Sequence, residues 1–263
     1  MKTRWLATAV AAIAMLHGCA TKLDLQALAG VEYASASTNP ALLFQNASVA
    51  PPSAVLLSDK DLQPGDIVLS SAPTIASAGI QLLTLAPVSH AAVYAGEGRV
   101  VEAVRPGVRV RRLEDLMTQE TVALVLRYPD LSPERGRAIA EYALNKTGTG
   151  FNYLGVTLHV PFSIKRKVCE LPLVPSSLRD ACIRGLGVIH YVAADEQRLF
   201  CSQLVMQAYR HAGIPLTDAD PRLISPADLL HMREGDVPSV RIHRPLRYVG
   251  HLKHPPTAIA VLD

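Results

Sequence analysis

Three residues carry the chemistry this sequence offers. Cys201 opens an amphipathic, helix-like stretch, Phe200-Cys201-Ser202-Gln203-Leu204-Val205. His90 sits in a strand-like run, Val88-Ser89-His90-Ala91-Ala92-Val93-Tyr94, and Glu102 follows twelve residues later in a second apolar run. A thiol at a helix start is acidified by the unpaired N–H groups there, and a neighbouring imidazolium adds to the effect. The thiolate is the nucleophile. A thiol, a histidine base and a carboxylate to orient that base are the kit for acyl transfer through a thioester. Singly, each residue has a plainer reading. A buried cysteine is usually a small hydrophobe, a strand histidine a satisfied core residue, a strand-end carboxylate a group facing water. Tyr94 and Tyr153 are candidate pocket walls, with core packing as the alternative. Gln203 is read as a helix-face residue with no role.

The elements that must position these groups are legible in outline. Gln63-Pro64-Gly65-Asp66 is a turn that launches a strand, Ile67-Val68-Leu69. Residues Thr74 to Leu85 read as a short apolar helix ended by Pro87. The His90 strand, the glycines at 96 and 98, and a strand over Val100–Ala103 make a hairpin. Pro106-Gly107 turns into a strand over Val108–Arg111, and another follows over Val122–Tyr128. Ser132-Pro133 starts a helix, with a capping hydroxyl and a proline at its first position, that runs to about Lys146. Ile139, Tyr142 and Ala143 share one of its faces. The Cys201 helix ends near His211, with Gly213 as its stop and Pro215 beyond. Ser225-Pro226-Ala227-Asp228 caps a last short helix. The basic residues Arg241, Arg244, Arg247 and Lys253 read as a solvated tail. Residues 154 to 199, irregular and proline-bearing, read as an insertion over the site.

The N-terminus reads as a targeting segment. Lys2 and Arg4 precede an apolar run from Trp5 to Leu16 that is too short to span a bilayer. Removing residues 1 to 18 takes the formal net charge from +3 to +1, so charge names no partner. No basic, aromatic-interleaved patch suggests nucleic acid. Residues 19 to 60 read as a tether and packing arm, and residues 61 to 263 as the folded domain. Cys169 and Cys182 remain as a candidate disulfide in an oxidising compartment. A zinc site using them with His190 lacks any close ligand pair. His211, His243, His251 and His254 show no ligand spacing either. No metal and no cofactor are expected, and oligomeric state is not legible.

Two resemblances follow from these motifs. Leu16-His17-Gly18-Cys19 is similar to the cleavage site of bacterial lipoproteins, which implies a lipid on Cys19 and a membrane anchor. An ordinary secretory signal with an incidental cysteine is the alternative. Ala20, where an aspartate would retain such a protein at the inner membrane, implies a place in the outer membrane facing the periplasm. Then Pro64-Gly65-Asp66-Ile67-Val68-Leu69, Ser89-His90-Ala91-Ala92-Val93-Tyr94-Ala95-Gly96, Val101-Glu102-Ala103, Gly107-Val108, Phe200-Cys201-Ser202-Gln203-Leu204-Val205, Gly213-Ile214-Pro215-Leu216 and Ser225-Pro226-Ala227-Asp228-Leu229-Leu230 resemble the permuted NlpC-type papain-fold cysteine hydrolases. The YiiX-like branch is the nearest, with lecithin retinol acyltransferase more distant. The match covers about residues 60 to 232, the 154 to 199 stretch excepted.

The resemblance implies an α+β, circularly permuted papain-like fold, with an antiparallel sheet or small barrel packed against helices. It maps the nucleophile to Cys201, the base to His90 and the orienting residue to Glu102. The acyltransferase branch has histidine at that third position, so a carboxylate favours the hydrolase branch. Three functions compete: an amidase or peptidase of peptidoglycan stem peptides, a lipid-directed acyltransferase or thioesterase, and a non-catalytic peptide or glycan binder. The presence of both Cys201 and His90 weighs against the third.

Overall fold

Two glycines without side chains let the first turn of the domain sit directly on a helix. Gly65 turns the chain at φ +91, and a Cβ there would lie 2.9 Å from the Cα of Gly136. A Cβ on Gly136 would in turn lie 2.3 Å from the carbonyl oxygen of Pro64. This contact docks the start of the sheet on the helix that follows it. Tyr209 reinforces the joint, its hydroxyl donating to the Gly65 carbonyl at 2.6 Å. The next residue, Asp66, is fully buried and accepts two hydrogen bonds from Arg127, both 2.6 Å. The ion pair satisfies a carboxylate that would otherwise be costly to bury.

The computed structural model describes residues 55–74, 77, 86–152, 198–234 and 241–253, together with a two-residue strand pair, Thr21–Lys22 with Leu43–Phe44. Within them six strands form one antiparallel sheet. They are β1 (Ile67–Ser71), β2 (His90–Gly96), β3 (Arg99–Ala103), β4 (Val108–Arg112), β5 (Val122–Arg127) and β6 (Arg247–Lys253), in the order β4-β3-β2-β1-β5-β6. Of the two expected forms, sheet or small barrel, the sheet is what forms, with β4 and β6 at its edges.

The central strands read as continuous apolar runs because both faces of the sheet are covered. On one face Ile67, Leu69, Ala91, Val93, Leu124 and Leu126 share a core with α2 (Pro133–Asn145), α3 (Cys201–His211) and α4 (Pro226–His231). On the other, Val68, Ala92, Tyr94, Val100, Ala123 and Val125 pack with Leu113 and Leu116 of a short helix, α1 (Leu113–Gln119). The expected caps form. Ser132 accepts from the N–H of Arg135 at 3.3 Å. Ser225 and Asp228 make a reciprocal capping box, at 3.1 and 2.8 Å. Gly213 closes α3 at φ +72.

The tail departs from its reading as a solvated run. Arg247–Lys253 is strand β6, and His251 and Leu252 within it are buried. Two register shifts and Gly250 break its alternation, which is why it does not announce itself. Gly250 is needed because the segment Val55–Leu57 crosses there: an added Cβ would meet the Leu57 side chain and the Val55 carbonyl, both at 2.7 Å. That segment pairs with β6 through Leu57 N–H to the His251 carbonyl at 2.7 Å and His251 N–H to the Val55 carbonyl at 2.8 Å. The expected helix over 74–85 lies, Thr74 and Ser77 apart, outside the described residues, as does the 154–199 stretch apart from Arg198 and Leu199. Cys19, Cys169, Cys182 and Tyr153 are outside them too.

Candidate active site

Register places the histidine and the carboxylate on the same face. Glu102 stands directly opposite Ala92, and His90 precedes Ala92 by two residues. Residues two apart on a strand point the same way, so His90 and Glu102 are diagonal neighbours across β2 and β3. Their side chains meet, with Nε2 of His90 2.9 Å from Oε2 of Glu102. Glu102 is fully buried. It does not face water, and its burial is compensated by cations.

Those cations come from β4. Arg109 stands directly opposite Glu102 and grips Oε1 with Nε at 2.8 Å and Nη2 at 2.7 Å. Arg111, two residues along, brings Nη1 to 3.5 Å of Oε2 and 3.4 Å of Glu120 Oε1. Neither arginine was expected at the site. The signal existed in the hairpin count: about the Pro106-Gly107 turn, Ala103 pairs with Val108, so Glu102 must pair with Arg109.

The thiol arrives from the helical layer. Phe200 has extended backbone, φ −115 and ψ 170, and Cys201 begins α3 immediately after it. Two anchors hold this helix start. Leu199 bridges the 150–152 segment, its N–H donating to the Gly150 carbonyl at 3.0 Å and its carbonyl accepting from Asn152 N–H at 3.1 Å. On the other side Ser202 Oγ donates to the Ile224 carbonyl at 2.6 Å. Half-buried Cys201 then hydrogen-bonds the His90 ring, and the backbone N–H groups of Ala91 and Ser202 donate to its sulfur. With Nε2 given to Glu102, Nδ1 is the ring nitrogen left for the thiol.

The electrostatics favour charge separation. Burial alone would push His90 down, but its hydrogen bonds to Cys201 and Glu102 prevail and raise it to about 10. Burial alone would push Glu102 up, yet the hydrogen bond and charge of His90, with Arg109 and Arg111 behind them, hold it at about 2. Burial also opposes the Cys201 thiolate, but the His90 hydrogen bond and charge, with the two N–H donors, bring the thiol below its ordinary value. A thiolate–imidazolium pair oriented by an ionised carboxylate is the arrangement these shifts describe.

The structure therefore brings Cys201, His90 and Glu102 together. Tyr94 it places elsewhere. That side chain is buried in the α1-side core, and its hydroxyl accepts from Gly98 N–H at 3.1 Å, so it packs the hairpin rather than walling a pocket. Among the described residues no group of three or more His, Cys, Asp or Glu side chains is gathered to hold a metal ion.

A thiol on a helix start set against a histidine-bearing antiparallel sheet, with the histidine earlier in the chain, defines a permuted papain-like class. The chain belongs to the permuted papain-like amidase family described as YaeF/YiiX, C92, whose model matches residues 61–156. The probable lipoprotein peptidase YaeF of Escherichia coli (strain K12) is 38% identical over 196 residues, covering 73% of this chain and 72% of that relative. The crystal structure of the metalloprotein YiiX from Escherichia coli O157:H7 aligns at a TM-score of 0.44 and 19% identity, over 74% of this chain and 99% of that one. That last likeness is too remote to bear on the chemistry.

Proposed function

We propose that this protein is a lipid-anchored envelope hydrolase that cleaves amide bonds of peptidoglycan stem peptides through a Cys201 thioester. The observation that carries the reading is the bridging position of His90, hydrogen-bonded to Cys201 on one side and to buried Glu102 on the other. The Cys201 thiolate attacks the amide carbonyl. The oxyanion that forms lies at the start of α3, where the Cys201 N–H has no partner within the helix. His90 gives its proton to the leaving nitrogen as the C–N bond breaks, and the acyl group stays on sulfur. Water then attacks the thioester while His90 takes its proton, the C–S bond breaks, and the thiolate–imidazolium pair is restored. Glu102 holds the ring orientation throughout.

The substrate and address rest on other supports. Family membership supports an amide bond as the target. The relative's description as a lipoprotein peptidase, with Cys19 after an apolar leader, supports a lipid anchor. A periplasm-facing lipoprotein of the outer membrane meets cell-wall peptides first. The test is to incubate wild-type protein and Cys201→Ala with purified cell-wall fragments. New amine ends and shortened stem peptides, absent with the variant, are expected. Intact cell-wall peptides alongside turnover of short-chain thioesters or acyl lipids would instead assign the site to acyl transfer.

A further inference from the structure

Glu102 is held from two sides, and the reaction above uses only one of them. Its Oε2 faces His90 at 2.9 Å, while Oε1 takes both Nε and Nη2 of Arg109, at 2.8 and 2.7 Å. A terminal carboxylate torsion is broad and roughly two-fold, so a glutamate alone does not choose which oxygen it presents. A bidentate guanidinium fork on one oxygen removes that freedom and leaves the other to the histidine. We propose that Arg109 is a positioning residue of the reaction, fixing the plane of the Glu102 carboxylate and keeping it ionised in both protonation states of His90. This rests on the roles assigned above to Cys201, His90 and Glu102.

The reaction cycle shows why a permanent cation is needed. When His90 has given its proton to the leaving group, Glu102 has lost the positive charge at its Oε2, and the arginines of β4 are what remains to hold it ionised. A buried carboxylate without a cation takes up a proton. A neutral Glu102 could not stabilise the imidazolium that must form again when water attacks the thioester. An arginine stays charged at every working pH, so it carries Glu102 through this half of the cycle. Arg109 is 50% exposed and holds no other partner among the described residues, which fits a clamp more than a core ion pair. Arg111 divides itself between Glu102 and Glu120.

Among the described residues, the groups that set the titration of His90 are few. Glu102 faces it from β3, with Arg109 and Arg111 behind it on β4 and Glu120 beyond Arg111. Cys201 faces it from α3, and β1 contributes only the Ser70 hydroxyl opposite it. Two effects of Arg109 have opposite signs. As a bare charge it repels the imidazolium, and removing it would raise the pH at which His90 loses its proton. As a positioning residue it aims Glu102, and removing it would lower that pH.

The experiment is the alkylation of Cys201 by iodoacetate, followed by mass spectrometry of the Cys201 peptide, from about pH 4 to about pH 11. Iodoacetate is an anion, so its rate rises as the thiolate forms and falls as the imidazolium is lost. In Arg109→Gln the falling limb should move down by about one pH unit. Arg109→Lys, which keeps the charge and loses the fork, should fall between that variant and wild type. A limb that moves up, or stays in place, overturns the proposal. Should Arg109→Gln fail to fold, Arg109→Lys decides by the same limb. A different result marks failure of the underlying reading: a wild-type profile without a falling limb, unchanged by His90→Ala.

Discussion

Glu102 lies diagonal to His90 across the β2–β3 hairpin, and the two side chains meet at 2.9 Å although one is fully buried and the other opens toward Cys201. The hairpin turn sets this distance. Any change of loop length between Gly96 and Arg99 would slide the carboxylate to another register row, or to the opposite face of the sheet.

Glu102→Gln should slow the enzyme by roughly 10²-fold in kcat, less than the loss caused by Cys201→Ala. Glutamine can accept from the imidazole but lacks the charge that stabilises its protonated form. The pH profile should shift as His90 becomes less basic. A water-facing strand end would leave the fold unaffected by this change. At a fully buried position between two arginines, it should also cost ~3 kcal/mol of stability. Steady-state kinetics across pH and urea unfolding would check both halves. A wild-type rate with an unshifted profile would mean that another residue orients His90.

Glu102 also sets an expected acid dependence of stability. Its folded value of about 2 lies below the ordinary 4.5. A depressed carboxylate contributes stability that is fully present above the ordinary value and is lost as pH falls toward the folded one. The gap in stability between wild type and Glu102→Gln should therefore be constant between pH 4.5 and pH 6.5, below the range where His90 begins to titrate, and shrink from pH 4.5 toward pH 2. Unfolding midpoints compared at several acid pH values test this. A gap that stays constant through that window would show that Glu102 gains nothing from its cations.

Gly136→Ala should be among the most damaging single changes outside the site. The new methyl would lie 2.3 Å from the Pro64 carbonyl oxygen, and both partners are backbone. Helix α2 would have to lift from the turn that begins β1, at a cost of ~3 kcal/mol. Calorimetry or denaturant unfolding checks it. Because the turn meets α3 at Tyr209, near the end of the helix opposite Cys201, Cys201 reactivity per folded molecule should change little.

Much of this architecture was legible because local signals agreed with the fold. The glycines at 96 and 98 predict the hairpin that sets the His90–Glu102 diagonal, and Ser132-Pro133 and Ser225–Asp228 cap helices where expected. Arg109 and Arg111 were missed for a different reason: a basic strand ordinarily reads as solvated, and only the register of the next hairpin reveals their partner. Strand β6 was hidden by its own composition, basic at both ends and interrupted at Gly250, where Val55–Leu57 packs against it, while its Leu252 joins the α1-side core. Tyr94 could not be assigned from sequence because an aromatic residue in a strand suits a pocket and a core equally well. Its contacts with the hairpin turn decide for the core.

The central claim is that Cys201 is a nucleophile activated by His90. It is tested most directly by the rate of Cys201 alkylation by iodoacetamide near pH 6, measured on the Cys201 peptide in wild type and His90→Ala. The thiol is held below its ordinary value of 9.0 mainly by the His90 hydrogen bond and charge, and His90 keeps its proton up to about 10. Wild type should react fast at this pH, and His90→Ala at least about tenfold more slowly, as expected for loss of the partner that stabilises the thiolate. Equal rates in the two proteins would contradict the account.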